Sequence, residues 1–215
     1  MLLPEGPGWK LRLERVFEAL LPSGPRPPPS ALDALCVWLD LAVRWNERMD
    51  LTVARDPDSL VDLMVADATA IWGSEPPEAG EHWVDVGSGI GAPGLPIALF
   101  APDVAMTLVE PRTKRAAFLR TVVGELGRSD ITVERRRSDA LGEGFADVAI
   151  SRATLPPAQW LAEGSRLATQ STWLLLASGP APKLAGSAVD REVSYRWPLG
   201  GGERRALRFH RETAP

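Results

Sequence analysis

A glycine-rich segment in the middle of the chain carries the clearest chemical signal. Residues Val84–Gly94 read VDVGSGIGAPG, with four glycines in eight residues and Asp85 two positions before the first of them. A strand that runs into such a turn and then into a helix forms a crevice at the carboxyl end of a sheet. Glycine also lets the backbone approach a ligand closely. The segment therefore predicts a ligand-binding loop that includes Asp85, Gly87 and Gly89.

Two ligands fit this loop at the level of sequence. The spacing Gly89-x-Gly91-x-x-Gly94 matches the dinucleotide fingerprint, which leaves an NAD-linked oxidoreductase open. However, Asp85 lies inside the strand, where a carboxylate would repel a pyrophosphate but could hold a cationic amino group. S-adenosylmethionine has an ammonium and a sulfonium, so we expect it to be the cofactor.

Polar residues also follow the next three strands. Glu110 ends the second strand, where an acid can accept hydrogen bonds from both ribose hydroxyls. Ser138 and Asp139 follow the third strand and could reach an adenine amino group. Arg152 ends the fourth strand, so we expect its side chain to face the crevice and either contact cofactor or substrate or pair with Asp85. No residue stands out as a catalytic acid, base or nucleophile.

The elements that would position these residues fall into two parts. Residues 1–80 show helical patterns and no strand pattern, with helices at Leu13–Leu21, at Ser30–Asn46 with Ser30 as N-cap, and at Asp58–Trp72. Residues 81–215 alternate between strands and helices, which indicates a mostly parallel sheet with helices on both faces. The predicted strands are His82–Val86, Ala105–Val109, Ile131–Arg135, Ala146–Ser151, Trp173–Ala177, and a hairpin of Glu192–Trp197 and Arg205–His210.

Composition sets the broad class of protein. The chain has 215 residues, 45% hydrophobic and 24% charged, as in ordinary globular proteins. We expect a cytoplasmic monomer without a membrane segment, because no apolar run could span a bilayer and the amino-terminal residues lack a signal-peptide pattern. The single cysteine, Cys36, lies in an apolar run and is expected to be a buried spectator. His82 and His210 stand apart from other ligands, so no metal site is expected. A net charge of −4 argues against a strongly basic surface, although a local patch could still bind RNA.

The chain also resembles a known family, the bacterial small-subunit (16S) rRNA guanine-N7 methyltransferases, or glucose-inhibited division protein B. The similarity extends over roughly residues 30–210. It is carried by Asp85–Pro96 (DVGSGIGAPGLP), Lys114–Leu119 (KRAAFL), Ile150–Ala153 (ISRA), Arg44–Asn46, Leu51-Thr52 and Arg55–Pro57.

This resemblance implies a class I, Rossmann-like methyltransferase domain with a terminal antiparallel hairpin, behind a helical N-terminal cap. It implies that Gly87 and the position of Ala92 contact the cofactor, that Glu110 binds the ribose, that Ser138-Asp139 bind the adenine region and that Arg152 is a further contact. The implied partner is rRNA or the small ribosomal subunit. Two positions differ from the family pattern: Met64 stands where the family usually has His, and Ser178 stands where it usually has Lys.

Three functions remain open from the sequence. The first is methyl transfer to N7 of a guanine in small-subunit rRNA. The second is a divergent methyltransferase that acts on another substrate. The third is a module that binds the cofactor without catalysis, because the differences at Met64 and Ser178 put the RNA substrate in question more than the cofactor.

Overall fold

An open seven-stranded sheet forms the centre of the computed structural model, which describes residues 8–211. The strand order is β3-β2-β1-β4-β5-β7-β6, and the neighbours among β1 to β5 are parallel. The inner strands are buried on both faces, which is why they read as apolar runs in the sequence. The strands are β1 (His82–Val86), β2 (Ala105–Val109), β3 (Ile131–Glu134), β4 (Ala146–Arg152), β5 (Ala168–Leu176), β6 (Ser187–Arg196) and β7 (Glu203–Arg211).

The predicted antiparallel hairpin is present at one edge of the sheet. The antiparallel strand β7 lies between β5 and β6, and β6 forms the edge. Ala206, Leu207 and Phe209 of β7 are buried, so β7 gains from an inner position. The strand β6 is charged and mostly exposed, which suits an edge. It is also longer than predicted, because it begins at Ser187.

Helices cover both faces of the sheet, as predicted. The helices α5 (Gly94–Phe100) and α6 (Thr113–Glu125) pack on one face, and α7 (Pro157–Leu167) packs on the other. Trp160 of α7 is fully buried against this second face and donates a hydrogen bond to the carbonyl of Trp173 at 2.9 Å. The crossover helices thus connect parallel strands and leave the carboxyl ends of these strands open.

The amino-terminal part is helical, and within residues 8–80 the structure contains no strand. Its side chains join the same buried cluster as α5 and α6, so this cap packs directly against the sheet. Trp38 ties the cap to the glycine loop, because its Nε1 donates to the carbonyl of Ile90 at 2.9 Å. The cap consists of α1 (Trp9–Leu20), α2 (Pro29–Met49), α3 (Pro57–Val61), a π-helical turn (Asp62–Ala66) and α4 (Asp67–Ser74).

Two local details of the cap differ from the sequence prediction. Ser30 is not the N-cap of α2: the helix begins at Pro29, and Pro28 occupies the cap position without a side-chain hydrogen bond. A proline in the first turn already has the helical φ, so no side-chain cap is needed. The predicted helix Asp58–Trp72 is interrupted by the π-helical turn, a feature found often at functional sites. No helix in the described part of the chain is long and apolar enough to cross a membrane.

Candidate active site

A cleft of about 460 Å³ opens where β1, β2 and β4 end. Four of the residues predicted from the sequence line it together: Gly87, Glu110, Ser138 and Arg152. They come from positions far apart in the chain, and the parallel order of the strands brings them to one edge. The other predicted residues, Asp85, Gly89, Ala92 and Asp139, lie outside the lining of this cleft.

Gly87 forms the floor of the cleft at the end of β1. Its φ is +72°, and a Cβ atom added there would lie 2.1 Å from Oγ1 of Thr154. The backbone N–H groups of Gly87 and Ser88 both donate to the carbonyl of Val109, at 2.8 and 3.1 Å. Only glycine therefore fits both the backbone conformation and the space at this turn.

Glu110 is held in place by backbone donors from two segments. Its Oε2 accepts from the N–H of Gly89 at 3.0 Å, and its Oε1 accepts from the N–H of Arg112 at 2.8 Å. The residue is 3% exposed. Each carboxylate oxygen can accept a further hydrogen bond, so the pair of oxygens can still receive two hydroxyl donors. Gly89 thus shapes the site by orienting Glu110.

Asp85 lies beneath the glycine loop and is fully buried. Its Oδ2 accepts from the N–H of Gly94 at 2.9 Å, which fixes the start of α5. Its Oδ1 is buried and has no hydrogen-bond partner among the described residues. Burial raises the pKa of this carboxyl from 3.8 to about 7, against the opposing effects of the Gly94 N–H and the Arg152 charge.

The remaining predicted residues frame the cleft. Ser138 opens a single 3₁₀ turn, and its carbonyl accepts from Nη2 of Arg166 at 3.0 Å. Asp139 is exposed and pairs with Arg137 at 3.2 Å, and it is not part of the cleft lining. Ala92 is buried in the core beside the sheet, and it precedes a cis proline bond.

Arg152 faces the crevice as predicted, but its ion-pair partner is Asp67 rather than Asp85. Its Nη1 donates to Oδ2 of Asp67 at 2.9 Å and also to the carbonyl of Leu63. The other oxygen of Asp67 accepts from the Tyr195 hydroxyl and from Nε1 of Trp197, both at 2.8 Å. Asp67 is buried, so it joins the cap, the end of β4 and the hairpin through three donors. Burial first, and then the Asp67 charge, raise the pKa of the Tyr195 hydroxyl.

Sequence reasoning missed this cluster around Asp67. The available signal was an acid inside the apolar helical segment Met64–Ala70, because a charge in such a place is rarely buried without partners. The two positions that depart from the family pattern differ in their surroundings. Met64 is fully buried in the core, whereas Ser178 is exposed just after β5.

The cleft is lined by more basic than acidic side chains, although the whole chain carries −4, and three of its arginines pair with carboxylates outside the lining. Glu110 is the only acid in its lining, and two of the cleft arginines, Arg112 and Arg115, have no carboxylate partner among residues 8–211. Metal binding has no support in the same range, since no three His, Cys, Asp or Glu side chains cluster there. The arginines that line the cleft are Arg112, Arg115, Arg136, Arg137 and Arg152.

Comparison with solved structures identifies the fold. The sheet with its covering helices is the fold of class I S-adenosylmethionine-dependent methyltransferases. An Aquifex aeolicus enzyme described by that cofactor superposes with a TM-score of 0.51 at 17% identity, covering 71% of this chain and 93% of that one. A transferase from Pyrococcus horikoshii reaches a TM-score of 0.53 at 16% identity, covering 74% and 65%. The predicted fold class is thereby confirmed.

The sequence comparison goes further. The chain belongs to the GidB family, rRNA small subunit methyltransferase G, whose profile matches residues 32–191. The ribosomal RNA small subunit methyltransferase G of Halorhodospira halophila is 36% identical over 164 residues, or 76% of this chain and 74% of that protein. The protein of the same name from Neisseria gonorrhoeae is 36% identical over 142 residues, covering 66% and 68%. The family resemblance seen in the motifs is confirmed.

Proposed function

We propose that this enzyme methylates N7 of a guanine in small-subunit (16S) rRNA, acting as a monomer in the cytoplasm. The observation that carries the proposal is the arginine-lined cleft at the strand ends, with Glu110 as its single acid, in a chain of the GidB family. Such a cleft attracts a polyanion locally even though the net charge of the chain is negative.

The described residues fit S-adenosylmethionine. Gly87 lines the cleft and lets the end of β1 lie in close contact with Thr154, where any side chain would collide, and Glu110 offers two fixed oxygens for the ribose hydroxyls. Ser138 lines the same cleft, which supports a contact with the adenine end, and Asp139 follows it in the chain. Asp85 contributes the buried carboxylate with one unpartnered oxygen under the loop, which favours the cationic amino end of the ligand. Ala92 and Gly89 belong to the same loop without lining the cleft, and the N–H of Gly89 orients Glu110.

The reaction needs no general base from the protein. Guanine N7 carries an in-plane lone pair, so it can act as a nucleophile without first losing a proton. When bound, the cofactor supplies an electrophilic methyl group on a sulfonium. The chain's own residues then have to hold the two reactants in line and exclude water, which can lower a barrier by roughly 7–11 kcal/mol. The lack of an acid–base pair in the cleft agrees with this chemistry.

The cleft arginines are suited to the RNA backbone. Arg112 and Arg115 carry free positive charge at the rim, and arginine binds phosphate oxygens through its planar set of donors. These contacts position the RNA without reading its sequence. Recognition of a single guanine then requires an unstacked base that can leave its helix or loop.

Methyl transfer to RNA tests the proposal directly. Purified enzyme is incubated with labelled S-adenosylmethionine and with small-subunit RNA or assembled subunits from cells that lack this gene. Mass mapping then locates the label. We expect one N7-methylguanine, and its loss in a Glu110→Ala variant. Label in a small molecule but not in RNA would favour the divergent methyltransferase, and cofactor binding without any transfer would favour the non-catalytic module.

A salt titration tests the role of the arginines. RNA affinity is measured against salt concentration for the parent, for Arg112→Ala with Arg115→Ala, and for Arg191→Ala as a control. Arg191 lies on β6 outside the cleft and pairs with Glu75, so its removal changes the net charge without touching the lining. Each lost phosphate contact should lower the logarithmic salt slope by about 0.7 for single-stranded RNA. Equal slopes for all three proteins would place the RNA elsewhere.

A further inference from the structure

A second and smaller pocket opens beside the cleft. Arg152 and Ala153 line both spaces, so the two are neighbours across a single turn of chain. The smaller pocket has a volume of about 220 Å³. Sites that bury whole drug-sized ligands usually have roughly 300–1,000 Å³, so this one suits a single ring system. Its walls combine the apolar side chains of Leu63 and Leu175 with an aromatic and cationic side formed by the hairpin.

We propose that this pocket receives the target guanine, with Arg204 as the residue that selects guanine over adenine and Trp197 as the ring that holds the Arg204 guanidinium in place. The proposal rests on the proposed function and adds the residues that hold the substrate base. Both residues line the pocket, and the guanidinium carbon of Arg204 lies 3.9 Å from the centroid of the Trp197 ring. RNA bases extruded from their stack are commonly recognised by hydrogen bonds to their edges.

Trp197 is fixed before any base arrives. Nε1 of Trp197 donates to Asp67 at 2.8 Å, and the neighbouring Tyr195 hydroxyl donates to the same oxygen. Asp67 in turn holds Arg152, so the wall shared with the cofactor cleft and the Trp197 ring have a common anchor. A base that enters the pocket therefore meets a preformed wall, and little further ordering of the protein is needed.

Arg204 has the freedom to contact a ligand. Its Nη1 donates to the carbonyl of Glu203 at 2.8 Å, and it has no carboxylate partner within residues 8–211. Arginine offers only donors. Guanine presents the O6 acceptor where adenine presents an amino donor, so a guanidinium at this edge favours guanine. N7 must keep its lone pair free for methylation, and O6 is therefore the atom that Arg204 should bind.

The position of the pocket agrees with the reaction. A base seated there lies next to Arg152 and Ala153, at the edge of the space that holds the cofactor. Ala153 has φ of +53°, an uncommon conformation for a residue other than glycine, and such backbone strain concentrates at functional turns. Trp197 and Arg204 lie beyond the residues 32–191 that the family profile matches, so their role is inferred from this structure alone.

The test compares neighbouring arginines on β7. Arg204→Ala removes the proposed contact, whereas Arg205→Ala removes an arginine that pairs with Glu192 and does not line the pocket. Methyl-transfer rate on small-subunit RNA, cofactor affinity and denaturant midpoint are measured for each. We expect Arg204→Ala to slow transfer by roughly tenfold or more, with cofactor affinity and midpoint unchanged, and Arg205→Ala to keep the parental rate.

Base preference separates a role in recognition from a merely structural one. The guanine that the parent methylates is replaced by 2,6-diaminopurine, which keeps N7 but has an amino group in place of O6. The parent should prefer guanine, and Arg204→Ala should lose most of that preference. If an aromatic ring holds the Arg204 guanidinium, Trp197→Phe should retain more activity than Trp197→Leu. A folded Arg204→Ala enzyme with parental rate and preference overturns the pocket while the proposed function stands. A parent that methylates no RNA overturns both.

Discussion

The ion pair between Asp67 and Arg152 gives the sharpest test of how the site is built. In Asp67→Asn, the retained side-chain oxygen can still accept from Tyr195 and Trp197, but an amide N–H₂ replaces the oxygen that received Arg152. A donor then faces a donor. The substitution thus removes one charged hydrogen bond and leaves the shape of the side chain unchanged.

The size of the effect follows from burial. Asp67 has 3% of its side chain exposed, and Arg152 has 20%. A hydrogen bond to a charged group contributes roughly 1.5–3 kcal/mol. The 3–5 kcal/mol that follows from breaking a fully buried pair is an upper bound here, because water still reaches the guanidinium. We expect a loss of about 2 kcal/mol in unfolding free energy, and a fall in methyl-transfer rate of about tenfold if 1.4 kcal/mol of it is lost from the transition state.

A matched control lies five residues earlier in the same helical segment. Asp62 is also fully buried and accepts from the backbone of the hairpin, at 3.0 Å from Leu199 N and 2.6 Å from Gly200 N. It does not touch Arg152, and burial raises the pKa of its carboxyl. Asp62→Asn keeps an oxygen for both N–H groups, so the folded variant should transfer methyl at the parental rate.

Three measurements decide the outcome: the denaturant midpoint, cofactor affinity by calorimetry, and initial transfer rate for the folded fraction. The expected result is a reduced rate in Asp67→Asn only, with a smaller change in cofactor affinity. If Asp67→Asn is folded and as active as Asp62→Asn, Arg152 does not depend on Asp67 for its position, and the reasoning fails.

Four further predictions concern the cleft. Gly87→Ala should abolish cofactor binding in calorimetry. The control is Gly127→Ala, at a glycine with φ of +61° and open space around it, which should lower stability alone. Equal cofactor binding by the two variants would place the cofactor elsewhere. Glu110→Ala should weaken cofactor binding by roughly 1–3 kcal/mol, and unchanged binding would exclude the ribose contact. Arg152→Ala should lower the methyl-transfer rate strongly and the denaturant midpoint only a little, and Arg152→Lys should recover part of the rate. Parental activity in a folded Arg152→Ala variant would show that the arginine has no role in transfer. The Asp85 carboxyl keeps its proton up to about pH 7 in the folded state, whereas in the unfolded chain it loses the proton near pH 3.8. This group therefore lowers the free energy of unfolding as pH rises through that interval. The gain in unfolding free energy of Asp85→Asn over the parent should therefore grow by on the order of 4 kcal/mol between pH 4 and pH 8, and a constant difference would contradict it.

Much of the fold was predictable because its signals are local. Apolar runs of strand length alternate with helical patterns after residue 81, and each element depends on neighbours close in sequence. The glycine loop and Glu110 were predictable for the same reason: both sit where a strand ends, and parallel strands bring their ends together. The structure places Gly87, Glu110, Ser138 and Arg152 around one cleft, as that rule requires.

The remaining parts depend on contacts between distant segments. The order β5-β7-β6 follows from which hairpin strand has more apolar surface to bury, and alternation alone does not decide this. The partner of Arg152 was missed because Asp67 lies 85 residues away, in a helix whose π-helical turn has no sequence signature. The prediction of Ser30 as N-cap was wrong because α2 begins one residue earlier, at Pro29, with Pro28 in the cap position.

The contacts between the cap and the hairpin also have a consequence for synthesis. Asp62 and Asp67 bind groups that lie 128 to 138 residues later in the chain. Contacts of this sequence separation form late, because a long loop must close before they contribute. A growing chain that has completed β5 already contains every residue of the cofactor cleft, but Asp67, the partner of Arg152, then lacks its donors Tyr195 and Trp197. We therefore expect nascent and truncated chains to lack methyl transfer, so that activity begins only when the last hairpin has left the ribosome.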